Sequence, residues 1–350
     1  MQNKAANLHY QLNSPKLVPI REKKSTSLEK LRKFSWNEYF SNKDNIYKKR
    51  SGTAFYNDTG SNNFYIFFCF FVKCKEKGAI WISRSNEICT LIEDSTFNNC
   101  SSKSRGGSVH YDCYAEGQFV QQRTCYYKSI ADYNMAFDQG VKQSSSNKNY
   151  AFAVSVYDCG QSESKGQSTI VIGDGVVNIS NINITNNRCS QYSSIYSSLW
   201  GASGSCSFST FRENNQTDTF SLEFSSSAET QTVSYCNVIG NKCETNGEYI
   251  LFHCYYTTYV THCIFLNNTA DYMFSVNHPA YTLTISDSYV DNQIYQIPNE
   301  VIFKDLKENY DFNNFTHFYT EICFVQQKET TIKVYYISIF AKTAAPSLFS

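Results

Sequence analysis

Cys263-Ile264-Phe265-Leu266-Asn267-Asn268 runs four apolar side chains into a pair of asparagines. The same frame stands 27 residues earlier as Cys236-Asn237-Val238-Ile239-Gly240-Asn241, and again 27 before that as Ser209-Thr210-Phe211-Arg212-Glu213-Asn214. Extended along the chain, the frame aligns nine segments on Phe71, Phe97, Tyr127, Val156, Ile184, Phe211, Val238, Phe265 and Val290, at spacings between 25 and 30 residues. Two positions before each of these stand Cys69, Ser95, Cys125, Val154, Ile182, Ser209, Cys236, Cys263 and Ser288. Five before stand Ile66, Ile92, Gln122, Ala151, Ile179, Cys206, Val233, Val260 and Ile285. Three after stand Cys74, Cys100, Ile130, Cys159, Asn187, Asn214, Asn241, Asn268 and Gln293. Columns of this kind mark stacked supersecondary units, each too small to bury its apolar row alone.

The apolar period within a unit is two, which suits a strand. No unit carries the stripe an amphipathic helix needs. A second short apolar run follows about nine residues on, as in Ile80-Trp81-Ile82, Ile250-Leu251-Phe252 and Phe274-Ser275-Val276. Turn formers such as Asn214-Asn215-Gln216 separate the runs. The expectation is an all-β chain: a right-handed parallel β-helix of about nine coils over residues 64–296. Its interior ladder is the aligned set from Phe71 to Val290, and the later asparagines hydrogen-bond from coil to coil.

Phe211-Arg212-Glu213-Asn214 and Phe265-Leu266-Asn267-Asn268 match the Phe-x-x-Asn signature of polymorphic outer-membrane-protein-like repeats, and Gly106-Gly107-Ser108-Val109 is similar to their Gly-Gly-Ala-Ile signature. The chain resembles that family over roughly residues 64–295. One Gly-Gly pair survives, and Val238 and Ile184 replace Phe in two repeats. The resemblance implies a surface or secreted adhesin-type protein without catalysis.

Formal net charge is zero. Residues 1–50 nevertheless hold a balance of +8, leaving the remainder at −8. The basic residues do not form one dense run, so a solvated extension is expected and nucleic acid is not. Thr26-Ser27-Leu28-Glu29 fits a capping box, and Leu28, Leu31 and Phe34 follow at helical spacing. A cap helix over 27–34, with Trp36 and Phe40 beyond it, is therefore expected within a basic extension spanning 1–63. Residues 41–63 read as loop and 297–350 as a degenerate coil and closing segment. No apolar signal segment is visible near Met1, and Phe64–Val72 is too short for the roughly 20 residues of a membrane span. Seven of the 14 cysteines fall in two of the ladder columns, which favours mostly buried thiols over disulfides.

The sequence assigns no catalytic, cofactor-binding or metal-binding residue. His253, Cys254, His262 and Cys263 invite a metal, but strand alternation sends His262 and Cys263 to opposite faces. Asp94 and Asp287 occupy equivalent outward positions seven coils apart, and Asp287 and Asp291 share a coil without a basic partner. The expected function is a lateral face offered to a protein or glycan, with Tyr192, Tyr196, Tyr255, Tyr256 and Tyr259 as contact candidates. A carbohydrate-active β-helix enzyme and a piece of a larger repeat protein are the alternatives.

Overall fold

The computed structural model describes residues 36–41, 43–57, 60–113, 117–142, 144–160, 165–199, 204–226, 231–244, 247, 249–296 and 300–313. The chain divides into two compact units, Met1–Asn42 and Lys43–Ser350. In the first, residues 36–40 form a helical turn in which the Trp36 and Phe40 ring centroids lie 4.8 Å apart. The helix expected over 27–34 lies outside the described residues.

The second unit is a parallel β-solenoid of the right-handed type, about eight turns long and close to the nine repeats in the sequence. Among the described residues its strands form a seventeen-stranded sheet, a nine-stranded sheet and a two-stranded sheet, and every named strand pairing is parallel apart from isolated bridges. Parallel pairing follows from the repeat itself, since each strand meets its equivalent one coil later.

Two backbone corners recur from coil to coil. Phe68, Asp94, Arg123, Ala153, Asn181, Phe208, Tyr235, His262 and Asp287 hold φ between 47° and 55°. Lys73, Asn99, Lys128, Asp158, Asn186, Glu213 and Asn267 hold φ between 51° and 56° at the second corner. The left-handed conformation costs an L-residue roughly 1–2 kcal/mol. Its repetition at equivalent positions shows that the bend is set by the coil rather than by any one side chain.

Eight of the nine aligned residues pair in register in one column. Phe71 pairs with Phe97, Val156 with Ile184, then Phe211, Val238, Phe265 and Val290 in turn. In the third coil the ladder residue is Tyr126, one before the expected Tyr127. The Tyr126 ring stacks on Phe97 at 4.7 Å, and Phe97 on Phe71 at 5.0 Å. Tyr127 faces the other way and stacks on Tyr157 at 5.9 Å. The same one-residue shift puts Thr124 and Gln121 in the columns expected for Cys125 and Gln122. Gln121 is fully buried and accepts hydrogen bonds from Tyr126 Oη (2.8 Å) and Thr124 Oγ1 (2.9 Å), which offsets its desolvation.

The asparagine column is a continuous ladder. The backbone N–H of Asn187 donates to Asn214 Oδ1, that of Asn214 to Asn241 Oδ1, and that of Asn241 to Asn268 Oδ1, at 2.9–3.1 Å. Each Nδ2 also donates across to a backbone carbonyl: Asn187 to Val156, Asn214 to Ile184, Asn241 to Phe211, Asn268 to Val238. These side chains satisfy the backbone groups that the second corner takes out of sheet pairing.

Two flanks depart from expectation. Within the expected loop, Ile46–Lys49 pairs with Asn63–Phe67, and Phe55–Asn57 pairs with Ile80–Arg84. Past residue 296, Val301–Lys304 regains the register, with Phe303 beside Ile285. Ile46–Lys49 and Val301–Lys304 are four residues each and carry Lys48 and Lys304 on outward positions, which masks their alternation.

Cys69, Cys89, Cys100, Cys159, Cys236 and Cys263 are buried thiols and Cys74 is a partly exposed one. Burial pushes the Cys69 and Cys89 thiols up to about 11, whereas a hydrogen bond from Cys100 brings Cys74 down to about 7. Because the thiolate is the nucleophile, iodoacetamide at pH 7.5 should modify Cys74 well before these six others, with a rate that rises through about pH 7. Peptide mapping of the native protein checks this, and equal labelling of Cys89 or Cys236 would contradict it.

Candidate functional site

Three outward regions of the solenoid carry chemistry. The first is the arm of the large sheet before the first corner. Its outward positions run, coil by coil, Asn178 and Ser180, Ser205 and Ser207, Thr232 and Ser234, Tyr259 and Thr261, Thr284 and Ser286. Between them Ile179, Cys206, Val233, Val260 and Ile285 point inward and are buried. Strand alternation thus sorts the sequence into an apolar inner row and two outer rows of hydroxyl and amide groups. None of the ten outward residues is charged. Ser205 Oγ reaches Asn178 Oδ1, and Ser207 Oγ reaches Ser180 Oγ, both at 3.4 Å.

At the adjoining corner, Phe208, Tyr235 and His262 stack with centroids 5.1 and 4.7 Å apart and planes within 20°. Phe208 and Tyr235 remain 41% and 38% exposed. Their faces meet one another, so the stack offers ring edges and the Tyr235 hydroxyl outward. Tyr259, 43% exposed, stands within the hydroxyl rows.

The second region lies on the outer side of the nine-stranded sheet. Parallel register places Trp81, His110 and Asp138 in one column, and Tyr196, Glu223, His253 and Ser275 further along it. His110 Nδ1 and Asp138 Oδ2 are 3.2 Å apart. Tyr192 lies 4.6 Å from Tyr196 and 6.1 Å from Phe220, centroid to centroid; Phe220 stacks on His253 at 4.0 Å, and Tyr255 meets His253 edge-on at 5.1 Å. The structure therefore joins Tyr192, Tyr196 and Tyr255 around Glu223 and His253. Tyr256 turns aside to pack on Tyr281 at 4.8 Å, and Tyr259 belongs to the other sheet.

Glu223 is 2% exposed and His253 4%. Burial pushes the Glu223 carboxyl up to about 7, against hydrogen bonding from Tyr192 and Ser225, and holds the His253 imidazole down at about 4. Near neutral pH, Glu223 is thus divided between acid and carboxylate while His253 is uncharged. A cavity of about 320 Å³ opens beside His253, lined in part by Asp218, Phe220, Tyr249, Ser275 and Gln296.

The third region is a buried acid–arginine cluster on the large sheet. Arg123 Nε and a terminal nitrogen donate to Asp94 at 2.7 and 3.1 Å, and the terminal nitrogen also approaches Glu93 Oε2 at 3.3 Å. Gln122 Nε2 donates to Glu93 Oε2 at 2.7 Å, and Tyr65 donates to Glu93 Oε1. Burial raises the Glu93 carboxyl, with the Asp94 charge adding to it. Arg123 is the basic partner of Asp94 that the sequence frame hid by placing Thr124 at this corner.

The four residues that invited a metal do not converge. His253 faces outward on the nine-stranded sheet, His262 sits at the corner of the large sheet, and Cys254 and Cys263 point into the core. Asp287 lies at a corner, and Asp291 Oδ2 accepts from the Asn267 N–H. Among the described residues no helix is long and apolar enough to cross a membrane.

The fold and these regions define a parallel β-solenoid with polar lateral faces. Comparison of the chain with protein-family profiles, with curated proteins and with solved structures gives no match.

Proposed function

We propose that the chain is a non-catalytic β-solenoid that binds a neutral glycan along the hydroxyl-bearing face from Asn178 to Ser286. The observation that carries this reading is the uncharged array: ten outward residues over five coils, spaced about 4.8 Å along the axis. A neutral polymer of hydroxylated rings is the ligand whose donors and acceptors such rows complement. Individual exposed hydrogen bonds contribute only about 0.5–1.5 kcal/mol net, so affinity has to come from many made in parallel on a rigid support. Acidic glycans require Lys or Arg, which these rows lack. A protein partner would favour a larger apolar anchor than Tyr259 and the edges of Phe208 and Tyr235 provide. The adhesin-type family resemblance supports the same reading and suggests a cell-surface or secreted setting.

The test is calorimetric titration of neutral and acidic polysaccharides against wild type and the double variant Thr232→Glu, Tyr259→Ala. Both residues are exposed, so the fold should survive. Binding of a neutral polysaccharide that falls at least tenfold in the variant is expected. Unchanged binding, or binding of acidic polysaccharides alone, overturns the reading.

A carbohydrate-active enzyme is the second reading, favoured by the proximity of Glu93, Asp94 and Arg123. Glu93 is 0% exposed and Asp94 8%, which fits an internal ion-pair strut better than a groove open to a polymer. Turnover of an acidic polysaccharide that disappears in Arg123→Ala would support the enzyme.

A further inference from the structure

We infer that the cavity beside His253 is a binding site for one neutral polyol unit of pyranose size. This inference is separate from the hydroxyl face, because it stands on a different sheet and on different observations. Unsatisfied atoms come first. Neither ring nitrogen of His253 has a hydrogen-bond partner, although the residue is 4% exposed. Thr219 Oγ1, in the cavity wall, and Glu223 Oε2, one coil from His253, are likewise unpartnered. Buried polar atoms left without partners are uncommon in folded proteins and call for a missing group.

The chemistry of the wall selects that group. A neutral imidazole presents one N–H donor and one lone pair, so its complement must both accept and donate. A hydroxyl does both. An anion would meet the Asp218 carboxylate with no cation among the lining residues to offset it. An alkylammonium would suit Asp218 but could not accept from the imidazole N–H. Ser275 Oγ donates to Gln296 Oε1 at 2.9 Å, which turns the Gln296 amide nitrogen into a further donor for the cavity. Phe220 and Tyr249 supply apolar surface for the carbon side of a ring. The volume, about 320 Å³, lies at the lower end of small-ligand sites, about 300–1,000 Å³. That size suits a single sugar.

The experiment uses the full chain with D-glucose, D-galactose, D-mannose and N-acetyl-D-glucosamine, and with glucuronate and glucosamine as charged controls. Saturation-transfer NMR and the ¹⁵N shifts of the imidazoles are read. At least one neutral sugar should bind and move the His253 nitrogens, with a Kd at least tenfold weaker in His253→Phe, which preserves the stack on Phe220. Ser275→Ala, a smaller change, should weaken the same sugar at least threefold. The Thr232→Glu, Tyr259→Ala variant should bind the monosaccharide as wild type does, so loss of the lateral face and loss of the cavity remain distinguishable. Three results would overturn the inference: no neutral sugar shifting His253 at 100 mM, binding of the charged sugars only, or equal affinity in His253→Phe and Ser275→Ala.

Discussion

Asn214→Ala should lower the unfolding free energy by about 3–5 kcal/mol, because several buried groups lose partners at about 1–3 kcal/mol each. Asn214 is fully buried. Its Oδ1 accepts from the N–H and Nδ2 of Asn187 at 3.0 and 2.9 Å. Its Nδ2 donates to the Ile184 carbonyl at 2.9 Å, to Asn241 Oδ1 at 3.0 Å and to Ser194 Oγ at 3.1 Å. Alanine removes both sides of this exchange at a position fully buried from the surface. Asn214→Asp keeps the acceptor, loses the donor and adds a buried charge, so it should be at least as damaging. Urea denaturation reads the loss, and faster hydrogen exchange at the Asn187 amide locates it. A change below about 1 kcal/mol would mean that the ladder is incidental to stability.

Phe211→Ala is expected to cost about 3–5 kcal/mol through lost burial and the cavity left behind. Phe211 is 0% exposed and lies in register between Ile184 and Val238, so its removal opens a gap in a column shared by two neighbouring coils. Phe208, three residues earlier, is the internal control. It is the same residue type, 41% exposed and stacked on Tyr235. Phe208→Ala should cost no more than about 1.5 kcal/mol, the range of an aromatic pair. Equal or inverted losses in a denaturant titration would show that the inner and outer faces have been exchanged.

The interior was legible because a parallel stack repeats its inward rows, and the spacing of Phe211, Val238 and Phe265 is constant at 27 residues. The third coil was not, for a local reason. Gln121-Gln122 and Tyr126-Tyr127 are doublets, so a frame displaced by one residue fits their side-chain types equally well. The structural cost of that slip is large, since a one-residue displacement exchanges inner and outer faces. It placed Thr124 at the corner and concealed Arg123 beside Asp94. A signal existed: the true frame puts small Ser129, not Ile130, in the column occupied by Cys100 and Cys159.

The tyrosine candidates were found as sequence clusters, but their meeting was not. Tyr192 and Tyr255 stand 63 residues apart in the chain and converge only through the register Tyr196, Glu223, His253 on the nine-stranded sheet. That sheet follows loops of unequal length, which blurs its period in sequence. Glu223 and His253 also look like ordinary outward polar residues until neighbouring rings are seen to bury them.

The most direct test of the stacking itself is a pair of distances. Lys48, Tyr65, Leu91, Val120, Tyr150, Asn178, Ser205, Thr232, Tyr259, Thr284 and Ile302 form one column. Lys48, Thr232 and Ile302 are exposed and can carry spin labels on keto-bearing residues, leaving the cysteines untouched. At about 4.8 Å per strand, pulsed electron resonance should give about 34 Å for Lys48–Thr232, seven steps, and about 48 Å for Lys48–Ile302, ten steps. Separations that fail to grow in proportion to the number of coils would contradict the solenoid.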